Sequence, residues 1–509
     1  MRKQPYPVAQ LTGGLDISVD ATFLVDINSP NLRNVWFDKG LVKKGLGWTQ
    51  FGATALDGTP MFMDSFPMSG GTIHLLFATP YWVYRWKSTD NTFEKKNPAV
   101  PFTGDEDDQF SGVVTLDNAG VDTYILTNGK DKIQHWHGDL NNFTELGGWS
   151  TSPILAKRLA IFQSRLIAGF TIESGTICPW RVRWSVVGNP ENVTGTGSGF
   201  VDLAETADWV VALAALKNKL YVFKERSIWE LVYVGGTDVF KPTLKVEGIG
   251  TYSPHSVVNL GQELIFYGSD NIYIYDGIDL VPIGKNIYPY LYETESKIVN
   301  STKVNRVPGV YIEELLSYQL CFPTQGDTPA LLAEYNFDAK AWTFRDRQVT
   351  AFGFYSVPGQ PRWIDLVGTW NDQTWVWMDK PLVSGAPTTL MGTPDGTIYE
   401  DNRSTKSTDV AYFETKDFIF SRAQRWIEVR VLAKGGPFTL SYSLDRGISW
   451  SSPKTLAQSS EFTEYIVPLN ATSQQIRFKL QTTAEELEVK WIEPYYIPRQ
   501  RSKSLTYPS

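Results

Sequence analysis

The sequence predicts an all-β protein, and three observations carry the prediction. Aromatic residues make up 14% of the 509 residues, a composition that favours strands. The 41 Gly and 29 Pro residues supply frequent turns. No long stretch of the chain repeats with the period of a helix. Short aromatic and β-branched runs between turn residues therefore predict many short antiparallel strands.

The stretch from Lys219 to Gly277 shows this pattern most clearly. Its four apolar runs lie at 220–223, 227–231, 263–267 and 271–275, and turn residues such as Gly235-Gly236 and Asp276-Gly277 separate them. Such spacing predicts antiparallel hairpins. Looser versions of the pattern recur roughly every 45 to 60 residues, which is the size of a four-stranded blade. The repeat predicts a β-propeller.

Further copies of the pattern divide residues 61–401 into blades. They lie at 73–77 with 81–86, 122–126 with 133–136, 165–169 with 181–185, 318–322 with 331–336 and 342–344, and 362–377 with 388–399. The last pair either completes the unit before it or forms another, so six or seven blades are predicted. A stack of antiparallel sandwiches is the alternative, which the repeated aromatic signature disfavours.

Residues 1–60 are predicted to flank or close the propeller. The segment 34–45 has the pattern of a strand, a turn and a second strand. An unclosed ring of blades leaves sheet edges unpaired, so some overlap between distant parts of the chain is needed. We therefore expect this segment to donate a strand to the last blade.

The residue composition and the pattern of apolar residues change after Asp401. Residues 402–409 are polar and rich in turn formers, which predicts a linker. Beyond them, the runs at 426–432, 438–442, 462–467 and 475–480 alternate apolar and polar residues, and they predict a β-sandwich over 410–498. Residues 499–509 form a basic tail. We interpret its Arg499, Arg501 and Lys503 as a solvated tail or as a docking arm.

Charge and cysteine content exclude several classes of protein. A net charge of -8 argues against a nucleic-acid-binding protein, which normally has a basic face. The charge is compatible with DNA that passes without specific binding. Cys178 and Cys321 fit no metal-binding spacing, so we expect two buried free thiols. The first residues lack the apolar core of a signal peptide, and no run is long enough to span a bilayer. We expect a protein made in a cytoplasm, with no membrane anchor.

One short motif stands out in the predicted sandwich. Ser443, Asp445, Gly447 and Trp450 match the Asp-box pattern S-x-D-x-G-x-T/S-W. In this pattern the Ser and Asp cap backbone donors, the Gly takes a positive φ angle and the Trp covers the turn. The motif resembles the Asp boxes that occur several times on the blades of sialidases. Because only one copy is present, we interpret it as a structural hairpin and not as part of a glycosidase.

Motifs that would carry chemistry are weak or missing. His135 and His137 lie on the same side of a strand, but no third metal ligand is recognisable nearby. The acidic run 104–108 lacks the ligand order of a calcium loop, so we interpret it as a solvated or lumen-facing loop. The usual catalytic and phosphate-binding signatures are absent from the sequence. We therefore predict no catalytic residues, no metal and no cofactor, and a protein that is not an enzyme.

Several strings of the chain form a set: Arg183-Trp184-Ser185, Asn189-Pro190-Glu191, and the runs 220–229, 249–258 and 270–277. Together they resemble the β-propeller virion proteins of tailed bacteriophages. This group includes the tail nozzle (tail tubular protein B) and the head-completion or stabilisation proteins of short-tailed phages. Residues 13–16 and 34–47 also look like the start of that group. The likeness is strongest over 180–280, and it carries no functional residue across.

The resemblance implies a virion protein assembled in the host cytoplasm. Six copies would form a ring below the portal and adaptor and extend the DNA-ejection channel. Its partners would be other copies of the chain, adaptor or portal-proximal tail proteins, and tail fibres or a plug or needle protein. Candidate contact segments are 98–112, 170–200, 286–312 and the basic C-terminus. The alternative is a carbohydrate-binding or glycan-hydrolysing propeller, because Trp-rich blades and an Asp box suit sugars.

Overall fold

The computed structural model describes residues 2–6, 11–98, 100–324, 326–355 and 387–498. Strands dominate these ranges, as the sequence predicts. The helices are short: α1 (Gly147–Thr151), α2 (Tyr288–Tyr292) and the 3-10 turns Pro254–Ser256, Lys285–Ile287, Ser301–Arg306 and Glu313–Leu315.

Seven four-stranded antiparallel sheets, which we call blades 1 to 7, follow one another along the chain. The N-terminal strands are β1 (Gln4–Pro5), β2 (Gly14–Leu15), β3 (Asn28–Ser29), β4 (Leu32–Arg33), β5 (Val35–Asp38), β6 (Leu41–Lys44) and β7 (Leu46–Phe51). Blade 1 contains β8 (Phe62–Pro67), β9 (Ile73–Ala78), β10 (Val83–Lys87) and β11 (Thr92–Lys95), and blade 2 contains β12 (Ser111–Leu116), β13 (Asp122–Thr127), β14 (Gln134–Trp136) and β15 (Thr144–Glu145).

Blades 3 to 6 repeat the arrangement. Blade 3 contains β16 (Ile154–Phe162), β17 (Arg165–Glu173), β18 (Thr176–Trp184) and β19 (Gly199–Asp202), and blade 4 contains β20 (Val210–Leu216), β21 (Lys219–Lys224), β22 (Ser227–Tyr233) and β23 (Phe240–Glu247). Blade 5 contains β24 (Val258–Asn259), β25 (Leu264–Tyr267), β26 (Ile272–Tyr275) and β27 (Leu280–Pro282), and blade 6 contains β28 (Gly309–Ile312), β29 (Ser317–Pro323), β30 (Pro329–Asn336) and β31 (Ala341–Arg345).

Blade 7 closes the ring. It consists of β32 (Ala351–Tyr355), β33 (Thr388–Gly392), β34 (Ile398–Lys406) and the N-terminal strand β7. The first strand of each blade contacts the first strand of the next, and β32 returns to β8. Aromatic side chains fill the gaps between blades, as where Phe223 of blade 4 meets Phe266 of blade 5 with ring centroids 5.0 Å apart. The prediction of a β-propeller is confirmed, and its blades number seven.

The closing strand is not in the segment from which we expected it. Residues 35–44 do form a hairpin, but β6 pairs with β40 (Leu487–Ile497) at the end of the described chain. Val35, Phe37 and Val42 of this hairpin are buried in a core shared with the C-terminal strands, which explains that placement. The next strand, β7, pairs with β34 and closes blade 7 instead.

The segment 402–409 is not a linker along its whole length. Strand β34 continues to Lys406, with Asn402 opposite Gly47 and Lys406 opposite Leu46 across a register shift. Pairing with β7 supplies the backbone hydrogen bonds that this polar stretch needs, whatever its local preference for turns. The chain then reaches the next strand within a few residues.

The C-terminal strands form a β-sandwich. They are β35 (Ala411–Glu414), β36 (Phe418–Gly435), β37 (Phe438–Ser443), β38 (Lys454–Leu456), β39 (Ser459–Thr482) and β40. The long strands β36 and β39 pair through several register shifts, and β39 also pairs with β35 and β37, so it takes part in both layers. N-terminal strands extend the sandwich, since β1 and β6 pair with β40, and β4 pairs with β35.

One hydrophobic core joins the propeller to the sandwich. It includes Phe37 from the N-terminal hairpin, Phe322 and Trp342 from blade 6, and Trp426 and Phe478 from the sandwich. The parallel pair of β2 and β3 packs against the last strand of blade 6. There Gly14 has a φ of +77°, and a Cβ atom at this position would lie 2.7 Å from the Cβ of Ala341, so only glycine fits.

Candidate functional site

Ion pairs cover one end of the propeller axis. The loop 104–108, which leads inward to blade 2, meets the 3-10 turn Ser301–Arg306, which leads inward to blade 6. Arg306 Nε donates to Asp107 Oδ1 at 2.6 Å, Lys303 Nζ donates to Asp107 Oδ2 at 2.8 Å, and Arg306 Nη1 donates to Glu106 Oε2 at 2.5 Å. Because blades 2 and 6 are not neighbours, this group of contacts crosses the ring. We call it the axial clasp.

The axial clasp adds ion pairs to a loop that is solvated as expected, since Asp105 and Asp107 remain exposed. The hydrogen bond from Arg306, together with those from Lys303 and Asn305, holds the pKa of Asp107 well below its usual range. Two candidate contact segments, 98–112 and 286–312, therefore meet each other within one chain. Positive charges almost 200 residues away in sequence compensate the acidic run.

A pocket of about 320 Å³ opens into the inner strands of blades 1, 5, 6 and 7. We call it the axial pocket. The residues that line it include Asp64, Ser65, His255, Asn259, Phe352 and Phe354. Each inner strand pairs with only one strand of its own blade, so its other edge presents backbone N–H and C=O groups toward the axis. At Gly353 a Cβ atom would lie 2.7 Å from the Cβ of Met63, so two inner strands approach closely there.

Asp64 is the carboxylate of the axial pocket. The Tyr124 hydroxyl donates to its Oδ2 at 2.6 Å, and the Ser65 backbone N–H donates to its Oδ1 at 2.8 Å. Tyr124 reaches it across the interface between blades 1 and 2 because Gly112 lacks a Cβ, which would lie 2.1 Å from the hydroxyl oxygen. Burial raises the pKa of Asp64 to about 6. This carboxyl group therefore exchanges its proton close to neutral pH.

His255 also lines this pocket, from the turn before blade 5. Burial, and after it the positive charge of Arg158, lowers the pKa of His255 to about 3, so the imidazole is neutral. Its Nε2 atom is buried and has no hydrogen-bond partner among the described residues. The ring packs against Phe62 of blade 1, with centroids 5.7 Å apart.

Arg158 ties several blades together near the axis. Its Nε donates to the Val211 carbonyl of blade 4 at 2.7 Å, and its Nη1 donates to the Gln109 carbonyl before blade 2 at 2.9 Å. These bonds compensate a buried guanidinium with backbone oxygens and without a carboxylate. The core of the ring is thus held by polar contacts between blades as well as by aromatic packing.

The axial pocket has the groups needed to bind a ligand, but it lacks the pair of carboxylates used in glycoside hydrolysis. Among the described residues that line it, Asp64 is the only acidic one. A single carboxyl group with a raised pKa can accept or donate a hydrogen bond to a bound molecule.

The Asp-box residues tie one turn of the sandwich, between β37 and β38, away from the axis. Ser443 Oγ accepts from the Gly447 N–H at 2.8 Å, and Asp445 Oδ1 accepts from the Ser449 N–H at 2.8 Å. Hydrogen bonds from the Ser449 hydroxyl and N–H lower the pKa of Asp445 to about 2. Gly447 has a φ of +85°, and Trp450 lies 5.7 Å from Lys479 Nζ. These contacts cap backbone donors, which is a structural task.

The other sequence candidates form no site in the described part of the chain. The rings of His135 and His137 lie 5.1 Å apart, and no group of three or more His, Cys, Asp or Glu side chains within the described ranges is placed to hold a metal ion. Cys178 and Cys321 are buried free thiols, as predicted. No described helix is both long and apolar enough to cross a bilayer.

Two of the predicted features lie outside the described residues. These are the basic residues Arg499, Arg501 and Lys503 and the strand candidates in 362–377. Sequence reasoning also missed Asp64, Tyr124 and Arg158, because single residues in separate blades leave no motif. His255 lies within the string 249–258 that resembles phage proteins, but its sequence gives no sign of burial.

Comparisons with known proteins concern the fold only. No family model and no curated protein matches the chain. Similar solved structures include the Neurospora crassa Pan2 WD40 domain (10% identity, 69% of this chain and 94% of that one, TM-score 0.33). They also include an exo-beta-1,3-galactanase from Phanerochaete chrysosporium with galactose (9% identity, 88% of this chain and 100% of that one, TM-score 0.27).

A third similar structure is the extracellular domain of a one-component system from B. thetaiotaomicron (9% identity, 89% of this chain and 61% of that one, TM-score 0.40). At such identities and scores these likenesses say nothing about activity. The strand pairing itself settles the architecture: this chain is a seven-bladed β-propeller with a β-sandwich built onto it.

Proposed function

We propose that this chain is a structural protein of a phage tail, and that six copies form a ring which extends the DNA-ejection channel below the adaptor. The phage-like strings of residues 180–280 support the proposal, because most of them lie on the strands and turns of blades 3 to 5. The shared core supports it too, since a subunit of a channel wall benefits from two domains that move as one body.

The observation that carries the proposal is the outer edge of blade 3. Strands β16, β17 and β18 each have nine residues, so this blade extends further than its neighbours. Large apolar side chains are exposed on its two outermost strands: Ile177 at 60%, Phe200 at 47% and Trp180 at 37%. Exposed apolar groups concentrated on one edge are typical of a contact surface. The edge lies in the candidate contact segment 170–200.

The charges around this edge suit contact with protein and not with DNA. Arg181 bonds to Glu173 and Asp202, and Arg183 bonds to Glu173. Their positive charges are thus already compensated within blade 3 and offer little to phosphate groups. With a net charge of -8 for each copy, a ring would let DNA pass without holding it.

The alternative, a carbohydrate-binding or glycan-hydrolysing propeller, is favoured by one observation. The axial pocket combines the exposed ring of Phe354 with polar groups from several strands, as sugar sites do. A glycan-binding function and a ring function place their essential residues in different blades. Variants can therefore separate them.

The test is assembly of the purified full-length chain. Light scattering after gel filtration, and electron microscopy alone and with the adaptor or portal ring of the same phage, should show sixfold rings. Trp180→Glu should prevent ring formation, because it places a charge in the proposed contact, and Phe200→Glu should weaken it less, because Arg181 and Arg183 lie over that ring and partly compensate the charge. Leu140→Glu is the matched control: Leu140 is 86% exposed on blade 2, outside the proposed contact, and its substitution should leave rings intact.

Two results would overturn the proposal. One is a chain that stays monomeric alone and with the adaptor. The other is a ring that forms equally well in the Phe200→Glu and Trp180→Glu variants. Hydrolysis of a glycan by the monomer would in addition establish the alternative.

A further inference from the structure

The axial pocket is separate from the axial clasp. The described residues that line the pocket include none of Glu106, Asp107, Lys303 and Arg306. The pocket lies beside the inner strands themselves and is lined toward their far ends by Ser65, Asn259 and Phe354. Its volume of about 320 Å³ gives room for a small molecule between these strands.

The wall of the pocket offers both donors and acceptors. Unpaired edges of β8, β24, β28 and β32 contribute backbone N–H and C=O groups in alternation. The Asp64 carboxyl has spare acceptor capacity, because each of its oxygens accepts one bond in the structure. A hydroxyl group is the small ligand group that donates and accepts at once. A ligand with several hydroxyl groups could form hydrogen bonds with these backbone groups and with the Asp64 carboxyl at the same time.

One aromatic ring is free to pack against a ligand. Phe354 lies on the inner strand of blade 7, yet 37% of its surface is exposed. Elsewhere in the ring, aromatic residues near the axis are packed between blades, as Phe62 is against His255. An exposed ring beside polar edges suits the apolar C–H face of a sugar, with the hydroxyls directed toward the strands.

The charge in the wall of the pocket selects against anionic ligands. The Asp64 carboxylate is the acidic group among the described residues that line the pocket, and an anion would be repelled by it. Neutral His255 adds no charge of its own. The volume of about 320 Å³ lies at the lower end of the range for small-molecule sites, which is roughly 300 to 1,000 Å³.

We propose that the axial pocket binds a neutral polyhydroxylated molecule of the size of a single pyranose sugar, with its apolar face on Phe354 and its hydroxyls on Asp64 and the inner-strand edges. This proposal goes beyond the ring function and does not depend on it. A ring that forms without binding sugar, and a monomer that binds sugar, are both distinguishable results.

The experiment is a calorimetric or saturation-transfer titration of the full chain with D-glucose, D-galactose and N-acetyl-D-glucosamine. At least one of them should bind with a dissociation constant of about 1 mM or tighter. Phe354→Ala should weaken that binding about tenfold, and Tyr233→Ala, which removes an exposed ring on blade 4, should leave it unchanged. Glucose 6-phosphate should bind more weakly than glucose because of the Asp64 carboxylate.

A second variant guards against misfolding of Phe354→Ala. Ser65 lines the mouth of the pocket and is only half-buried, so Ser65→Trp should fill the entrance without disturbing a core. It should abolish binding while the circular dichroism spectrum stays that of the wild type. Absence of binding by all three sugars, or binding that survives both variants, would show a pocket filled by water only and overturn the proposal. Glucose 6-phosphate binding as tightly as glucose would overturn the choice of a neutral ligand.

Discussion

Removal of Asp107 tests whether the axial clasp stabilises the ring. Asp107 accepts hydrogen bonds from Arg306 at 2.6 Å, Lys303 at 2.8 Å and Asn305 at 3.1 Å. A net contribution of about 1.5 to 3 kcal/mol is usual for a hydrogen bond to a charged group. The Asp107 side chain is 39% exposed, so solvent screening places these bonds at or below the low end of that range. We expect Asp107→Ala to lower the free energy of unfolding by about 2 to 3 kcal/mol.

A double-mutant cycle isolates the pair at its centre. Arg306 is only 10% exposed and keeps its bond to Glu106 when Asp107 is removed. The coupling between Asp107 and Arg306 should therefore be about 1 to 2 kcal/mol, above that of a surface pair and below that of a fully buried one. The exposed pair Lys87 and Asp90 of blade 1 is the matched control, and its cycle should show no measurable coupling.

Urea unfolding followed by tryptophan fluorescence measures both cycles. The pKa of Asp107 is lowered from its ordinary value of 3.8, so its contribution is present above that pH and is lost as the pH falls below it. Coupling should accordingly be constant between pH 5 and 8. Coupling near zero at pH 7, or equal for the two pairs, would refute the argument that the clasp holds blades 2 and 6 together.

Three further changes test the pocket and the Asp-box turn. The pKa of Asp64 is raised to about 6, so the unfolded chain loses this proton at lower pH than the folded chain does. The free energy of unfolding should therefore fall as the pH rises from 3.8 to 6. The fall is at most about 3 kcal/mol, and about 1 to 2 kcal/mol after allowance for water in the pocket. Asp64→Asn should remove that fall, and an unchanged pH profile of the urea midpoint would contradict it. The pKa of His255 is lowered to about 3, so stability should be lost as the pH falls below 6.5. His255→Gln should make this decrease of the urea midpoint at acid pH less steep. An equally steep decrease in the variant would count against a buried neutral imidazole. Gly447→Ala should lower the free energy of unfolding by about 1 to 2 kcal/mol, because φ is +85° and the added Cβ would lie 2.8 Å from Arg477 Nη1. Gly70 has open space around it, so Gly70→Ala should lower that free energy far less. Equal urea midpoints for the two variants would contradict the predicted strain at Gly447.

Local sequence patterns were enough to predict the strands of the blades. The hairpin of 220–223 with 227–231 forms β21 and β22, and 263–267 with 271–275 forms β25 and β26. In these cases a turn of a few residues sets the pairing, so each strand and its partner are neighbours in sequence. The pattern of aromatic runs and turns therefore carries the information for one blade at a time.

Pairing between distant segments could not be predicted in the same way. The fourth strand of blade 7 comes from β7, near the start of the chain, and the hairpin that precedes it joins the sandwich instead. Both segments have the alternation of strands, and nothing local tells which sheet each will join. The number of blades and the extent of the linker depended on that choice.

The site residues were hidden for a related reason. Asp64 and Tyr124 lie in different blades, and their 2.6 Å hydrogen bond depends on the bare backbone of Gly112. The ion pairs of Asp107 could not be predicted because its cationic partners lie almost 200 residues further along the chain. By contrast, the hydrogen bonds that define the Asp-box turn, from Gly447 to Ser443 and from Ser449 to Asp445, join residues four apart, so its motif could be found in the sequence.

The early strands have a consequence for how the protein is made. Strands β1, β4, β6 and β7 leave the ribosome long before β34, β35 and β40, with which they pair. Until synthesis nears its end, the nascent chain carries open sheet edges that can pair with the wrong partner. Pairings between such distant segments also form slowly. Soluble yield should therefore be limited by the last hundred residues to be translated, and slower synthesis at low temperature should raise it.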